Sequence, residues 1–162
     1  MRKMKLMGMY RTFKTNLESE QEQTYTQDEI IAHLVDAEWD DRQNRNIENK
    51  IRNAHFRYKA ALEDLHYHTD RNIDKNQVMR FADCEFIDKA ETILIAGSTG
   101  TGKSYIASAL GYQACSMGYR VVYYNVPKLF SKLKMSKAVG SYLKDISKIE
   151  RQHLLILYDI VI

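Results

Sequence analysis

The sequence predicts an α/β chain, in which an N-terminal helical region precedes an incomplete parallel sheet, and three observations predict it. The first half carries apolar residues at helical spacing with almost no helix breakers. One Pro and seven Gly occur in 162 residues, where average usage gives about nineteen of the two together. After residue 90, short apolar runs alternate with amphipathic stretches in the order strand, helix, strand, helix, strand. Between the first of those strands and its helix lies the run Gly97-Ser-Thr-Gly-Thr-Gly-Lys-Ser104. These patterns divide the chain into a helical region and linker over 1–76 and a strand-and-helix core over 77–162.

In chain order, Leu6, Met9, Phe13 and Leu17 give helical spacing to a short first segment. Residues 21–26 are polar and read as a connection. Thr26-Gln-Asp-Glu29 then matches a capping box, in which hydroxyl and carboxylate each take an otherwise unpaired backbone N–H. Ile30, Ile31, Leu34, Val35, Trp39, Ile47, Ile51, Ala54 and Tyr58 follow without a Gly or Pro, predicting one long helix or two in sequence over 27–60. Residues 66–76 lack periodicity and read as a linker. Its histidines, His66 and His68 with Asp64 and Asp70 nearby, have no scaffold to converge on a metal and read as solvated. A short helix over Gln77–Cys84 follows, with Phe81, Phe86 and Ile87 as apolar anchors.

The core begins with Thr92-Ile-Leu-Ile-Ala96, a continuously apolar run of the kind buried on both faces of a parallel sheet. A helix over 103–117 ends at Gly118. Residues 119–124 form the second strand, and Pro127 opens a helix with Leu129, Phe130 and Leu133 facing inward. Leu143, Ile146 and Ile149 mark one more helix, and Leu154-Leu-Ile-Leu157 the third strand.

Composition excludes several classes. With 44% apolar and 28% charged residues the chain is not disordered by composition. Its longest apolar runs fall far short of a membrane span, and no secretory leader pattern follows the basic N-terminus. Cys84 and Cys115 stand alone, without the spacing of a disulfide framework or zinc site, which makes the cytoplasm the expected compartment. The net charge of +3 is unevenly placed: five basic and no acidic residues in 1–14, and eight basic against two acidic in 120–151. Such stretches suit phosphate neutralisation on nucleic acid and equally suit a solvated basic face.

The chemistry rests on residues 97–104, which satisfy G-x-x-x-x-G-K-[ST] with a strand entering and a helix leaving. Gly97, Gly100 and Gly102 let the backbone curl so that successive N–H groups point inward as an anion nest. Ser98, Thr99 and Thr101 contribute amides and hydroxyls. Lys103 reaches β/γ-phosphates, and the Ser104 hydroxyl ligates Mg²⁺. The site is therefore a nucleotide site. A nucleotidase of this type also places carboxylates at the end of another buried strand. Here Tyr158 takes the first position after the run and Asp159 the second. Asp159 is thus the candidate for both metal and catalysis, and a single acid predicts binding with impaired hydrolysis.

These residues resemble the IstB-like transposition helper ATPases of insertion sequences, relatives of the DnaC helicase loader in the AAA+ group. The resemblance runs from Lys5-Leu-Met-Gly-Met9 through Glu38, Arg42 and Arg45, Ala61-Leu-Glu-Asp-Leu65, the 97–104 loop, Ile106-Ala-Ser-Ala-Leu-Gly111 and Gly118-Tyr-Arg-Val-Val122 to Leu154-Leu-Ile-Leu157. It implies ATP and Mg²⁺ as ligands, DNA and a transposase as partners, and ATP-dependent homo-oligomers without membrane attachment. It also implies a five-stranded sheet in the order 5-1-4-3-2. Three strands are legible here, so the resemblance implies a C-terminally truncated core with an empty position between the first and third. Two alternatives stand beside it: a helicase loader of replication, and a DNA- or protein-binding helical module with a nonfunctional loop.

Overall fold

A computed structural model of the chain describes residues 1, 3–18, 26–67 and 73–159. They gather into two compact units, 1–48 and 49–162. The connection over 21–25, residues 68–72 of the 66–76 linker with His68 and Asp70, and residues 160–162 lie outside the described residues.

The first unit holds α1 (Met7–Glu18) and residues 27–48 of α2 (Gln27–Ala54). The capping box forms as its chemistry requires. The Glu29 carboxylate accepts from the Thr26 N–H at 2.8 Å, and the Thr26 hydroxyl oxygen accepts from the Glu29 N–H at 3.3 Å. The first of these bonds chiefly holds the Glu29 carboxyl below the usual carboxylate range. One helix rather than two follows, ending at Ala54 because His55 turns to a φ of 58°.

Glu38 joins the two helices of this unit. Its side chain is buried, and one carboxylate oxygen accepts from the Gly8 N–H at 3.0 Å at the start of α1. The other oxygen accepts from Arg42 Nε at 2.8 Å. Asp41 pairs with Arg11 and with Arg45, the latter at 2.8 Å. A carboxylate at a helix N-terminus also meets the positive end of the helix dipole. Arg42, then the α1 amides, hold the Glu38 carboxyl below its ordinary value against the opposing effect of burial. Its contribution to stability is therefore full above the ordinary glutamate range, about pH 4.3. It is lost as pH falls from there through the lowered folded value. Acid titration of the helical signal should show α1 detaching in that window, and Glu38→Gln should remove this step.

Gly8 lets α1 come this close. A Cβ there would strike the Ala37 carbonyl oxygen and lie 2.8 Å from Asp41 Cβ. Gly8→Ala should therefore destabilise despite the roughly 1 kcal/mol that Ala gains as a helix former. Overpacking costs about 1–3 kcal/mol, and a lowered thermal midpoint is the expected reading.

The second unit contains α3 (Lys75–Ala82), α4 (Glu85–Asp88), α5 (Lys103–Ser116), β1 (Val121–Asn125), α6 (Val126–Val139), α7 (Tyr142–Glu150) and β2 (Leu154–Tyr158). α3 begins two residues before the expected Gln77 because Asp74 caps it, accepting from the Asn76 N–H at 2.8 Å. It also ends earlier, since Cys84 at φ 56° breaks the helix before α4. β1 and β2 pair in parallel, from Val121 opposite Leu154 to Asn125 opposite Tyr158.

Two expectations are corrected. Residues 92–96 form no strand, and among the described residues the sheet has two strands only. The segment keeps Ile93 against the core while Leu94 stands 83% exposed. A continuously apolar strand needs ladder partners and cover on both faces, and this segment has neither on the Leu94 side. Phe130 is the second correction, being exposed rather than inward. Leu129, Leu133 and Ser136, at i, i+4 and i+7, make the covered face of α6. Phe130 lies about 100° away around the helix.

α5 is the centre of this unit. Ala109 and Leu110 pack with Ala60, Leu62, Leu65 and Val78, whereas Ala114 and Cys115 pack with Ala54, Cys84, Phe86 and Val121. A helix buried on both sides holds its N-terminus firmly in place. Both cysteines are free and buried. Burial pushes the Cys115 thiol up to about 11, against a smaller opposing effect of Lys50. Cys115 should therefore resist alkylation at pH 8 in the folded chain and react once the chain is unfolded, a difference read by mass. Among the described residues no helix is long and apolar enough to cross a membrane.

Candidate functional site

The 97–104 loop sits directly before α5. Gly100 and Gly102 adopt φ of 87° and 88°, the left-handed region in which an L side chain is strained. Gly97 has φ 151°. Gly102 is the cap of α5, its carbonyl accepting from Tyr105 and Ile106 N–H at 3.0 Å each. The first turn of α5 thus faces the loop with its positive dipole end. Ser98, Thr99 and Gly100 are exposed, as is Thr101, whose hydroxyl donates to the Ser98 carbonyl at 2.9 Å. Lys103 curls back over this loop, and its ammonium donates to the Gly97 and Ser98 carbonyls at 2.6 Å each. The loop therefore holds a cation at its centre with amides and hydroxyls around it. Chemically, that is a cradle for a multiply charged anion.

Beneath the loop lie three further groups. Ser104 is half-buried, and its carbonyl accepts from the Ser108 hydroxyl at 2.7 Å. Tyr123 of β1 is 4% exposed, and its hydroxyl is buried without a hydrogen-bond partner among the described residues. Burial raises its pKa, and the neighbouring hydroxyls of Ser104 and Ser108 temper the rise. Tyr158 stacks on the Tyr123 ring with centroids 4.6 Å apart. Ser104, Tyr123 and Tyr158 are thereby brought together.

Asp159 is placed differently. Its backbone turns to φ 63°, and its carboxylate accepts from Asn125 Nδ2 at 3.0 Å. Asn125 in turn caps α6, accepting from the Lys128 N–H at 3.0 Å. The structure thus joins Asp159 to the start of α6. Among the described residues no three His, Cys, Asp or Glu side chains converge as a metal cluster.

Beside the loop runs a groove of about 580 Å³, lined by Thr101, Gly102, Tyr105, Ile106, Leu65 and Ile73, with Glu63, Asp64 and His66 at its rim. Its size lies within the range of small-molecule sites. The groove was not foreseen, because it joins residues forty positions apart. The Asn125 cap was not foreseen either, although an Asn two residues before the helix-opening Pro127 is a local signal for it.

A family model described as IstB-like ATP binding protein matches residues 1–162. The chain belongs to that family. Among its relatives is a protein named as the insertion sequence ATP-binding protein y4pL of Sinorhizobium fredii, 31% identical over 96% of this chain and 64% of its own length. A second, named for insertion sequence IS1162 of Pseudomonas fluorescens, is 30% identical over 96% of this chain and 68% of its own. The IS21 protein of Pseudomonas aeruginosa is 26% identical over 82% of this chain and 50% of its own. This IstB-like chain thus spans about two thirds of the first relatives' length or less.

Proposed function

We propose that this chain is an ATP-binding helper of DNA transposition, with ATP phosphates held by Gly97, Ser98, Thr99, Gly100, Thr101, Gly102, Lys103 and Ser104. The observation that carries the reading is the loop itself: two left-handed glycines curl it, and the Lys103 ammonium lies within it. The adjoining groove suits a nucleoside, with Tyr105 and Ile106 offering apolar surface to a base. On this reading the P-loop core is incomplete, and residues 77–162 hold the nucleotide phosphates, with 63–66 and Ile73 forming the far wall of the nucleoside groove. The rest of residues 1–76 supply helical surface to partners.

Ser104 and Asp159 would hold Mg²⁺, which neutralises phosphate charge when bound. Mg²⁺ takes most of its ligands from phosphates and water, so a hydroxyl and one carboxylate suffice for binding. In the sequence Tyr158 precedes Asp159 and Ile160 follows it, so no second acid adjoins it to orient water, and on this reading turnover is slow or absent.

DNA is the proposed macromolecular partner together with a transposase, and structure favours one surface for the DNA. Arg11, Arg42 and Arg45 are paired with Glu38 and Asp41. Exposed Lys128, Lys132 and Lys134 line α6 instead. The names of the relatives favour insertion-sequence work over helicase loading. Titration with ATP followed by DNA retention tests the whole reading. Saturable ATP binding and DNA retention that rises with ATP and falls steeply with salt are expected. Failure to bind ATP, or recovery of a replicative helicase rather than a transposase from a pull-down, would overturn it.

A further inference from the structure

Among the described residues the hydroxyls of Tyr67 and Tyr123 are buried without a hydrogen-bond partner, and that of Tyr123 lies beside the glycine loop. The Tyr123 ring is fixed by stacking on Tyr158 at 4.6 Å and by an edge contact with Phe56 at 6.1 Å. A buried hydroxyl left without a partner is costly, and native structures seldom keep one without a use. The hydroxyls of Ser104 and Ser108 both neighbour Tyr123. The Ser108 proton is given to the Ser104 carbonyl at 2.7 Å, which leaves the Ser104 proton for Tyr123, and the Asp159 carboxylate is turned to Asn125. A serine hydroxyl can serve a cation through a lone pair only if its proton points at some other acceptor. The buried Tyr123 phenol, which has no other partner among the described residues, is an acceptor available for that task.

We propose that Tyr123 is a positioning residue for Ser104: its hydroxyl accepts the Ser104 Oγ proton and aims a serine lone pair at phosphate-bound metal. Tyr158, stacked behind it, keeps the Tyr123 ring from swinging away. This inference rests on the nucleotide reading of the loop and adds a second layer to it. It also gives Tyr158 a part in the site that its lack of a carboxylate would otherwise deny.

The test is ATP affinity of the full chain, measured once with Mg²⁺ and once with EDTA, for the parent, Tyr123→Phe, Ser104→Ala and the double variant. Tyr123→Phe should weaken binding about three- to tenfold with Mg²⁺, the worth of one neutral hydrogen bond, and leave it unchanged with EDTA. Added to Ser104→Ala it should cost nothing more. Its ligand-free unfolding midpoint should be equal or higher, since an unsatisfied hydroxyl has gone. Equal affinity of Tyr123→Phe and parent with Mg²⁺, equal losses with and without Mg²⁺, or a parent indifferent to Mg²⁺ would each overturn the proposal. Lys103→Ala separates the two layers. Undiminished binding in that variant removes the nucleotide reading itself, whereas its loss beside an unaffected Tyr123→Phe removes only the role of Tyr123.

Discussion

Lys103→Ala should lower ATP affinity about 10- to 150-fold while barely moving the unfolding midpoint of the ligand-free chain. The ammonium is held between two loop carbonyls at 2.6 Å each, at a site open to solvent. Those bonds replace equally good bonds to water, so losing them costs the empty fold little. A bound triphosphate changes the comparison. The same ammonium then faces a multiply charged anion, and a charge-assisted bond is worth about 1.5–3 kcal/mol, which converts to the stated factor. Lys103→Arg should restore only part of it, because a planar fork does not fit the space a point charge occupies between two carbonyls. Calorimetric titration beside thermal unfolding separates the two readouts. A midpoint that collapses while affinity holds would make Lys103 a structural residue and empty the loop of its role.

The parts of the fold that could be read from sequence are those decided by neighbours along the chain. Thr26 and Glu29 are three residues apart, and their reciprocal bonds depend on nothing further away. The helix after the glycine loop is likewise local, stopped by Gly118 at φ 96°. Residues 92–96 show the opposite case. Their apolar run carries the composition of a buried strand, but composition supplies no edge partner, and a strand exists only as part of a sheet. Phe130 went astray through a smaller error of the same kind. Three apolar residues in a short helix do not all face one way, and the choice of face belongs to β1 and α7.

The site divides along the same line. Glycines at 100 and 102 announce their left-handed φ through residue type alone. The direction of Asp159 depends instead on Asn125, thirty-four residues earlier and opposite only through the β1–β2 register. Glu38, Arg42 and Arg45 were legible as a pattern without a purpose. Their mutual pairing with α1 and Asp41 makes the purpose architectural. A charged pattern shared with a family is therefore no evidence of a charged partner until its own ion pairs are known.

Gly111→Val should cost about 3 kcal/mol or more, the largest single loss of stability expected in the second unit. Gly111 lies in α5 where a Cβ would run into the Phe56 ring and stand 2.9 Å from the Ile156 Cδ1 of β2. The ring cannot step aside cheaply. It packs on Tyr112 with centroids 4.7 Å apart and meets Tyr123 at 6.1 Å. Gly111→Ala sets two effects against each other: about 1 kcal/mol gained as a better helix former, and about 1–3 kcal/mol lost by overpacking. The second wins, and a net loss follows. Valine adds two more carbons and a stiff χ1 to the same collision, and so approaches the upper end or passes it. Denaturant midpoints for parent, Ala and Val should fall in that order, with the slope unchanged. An alanine variant more stable than the parent would mean that Phe56 has room to move. In that case α5 would be held less tightly against β2 than the close approach at Gly111 implies, and the loop it carries would be less firmly placed for its ligand.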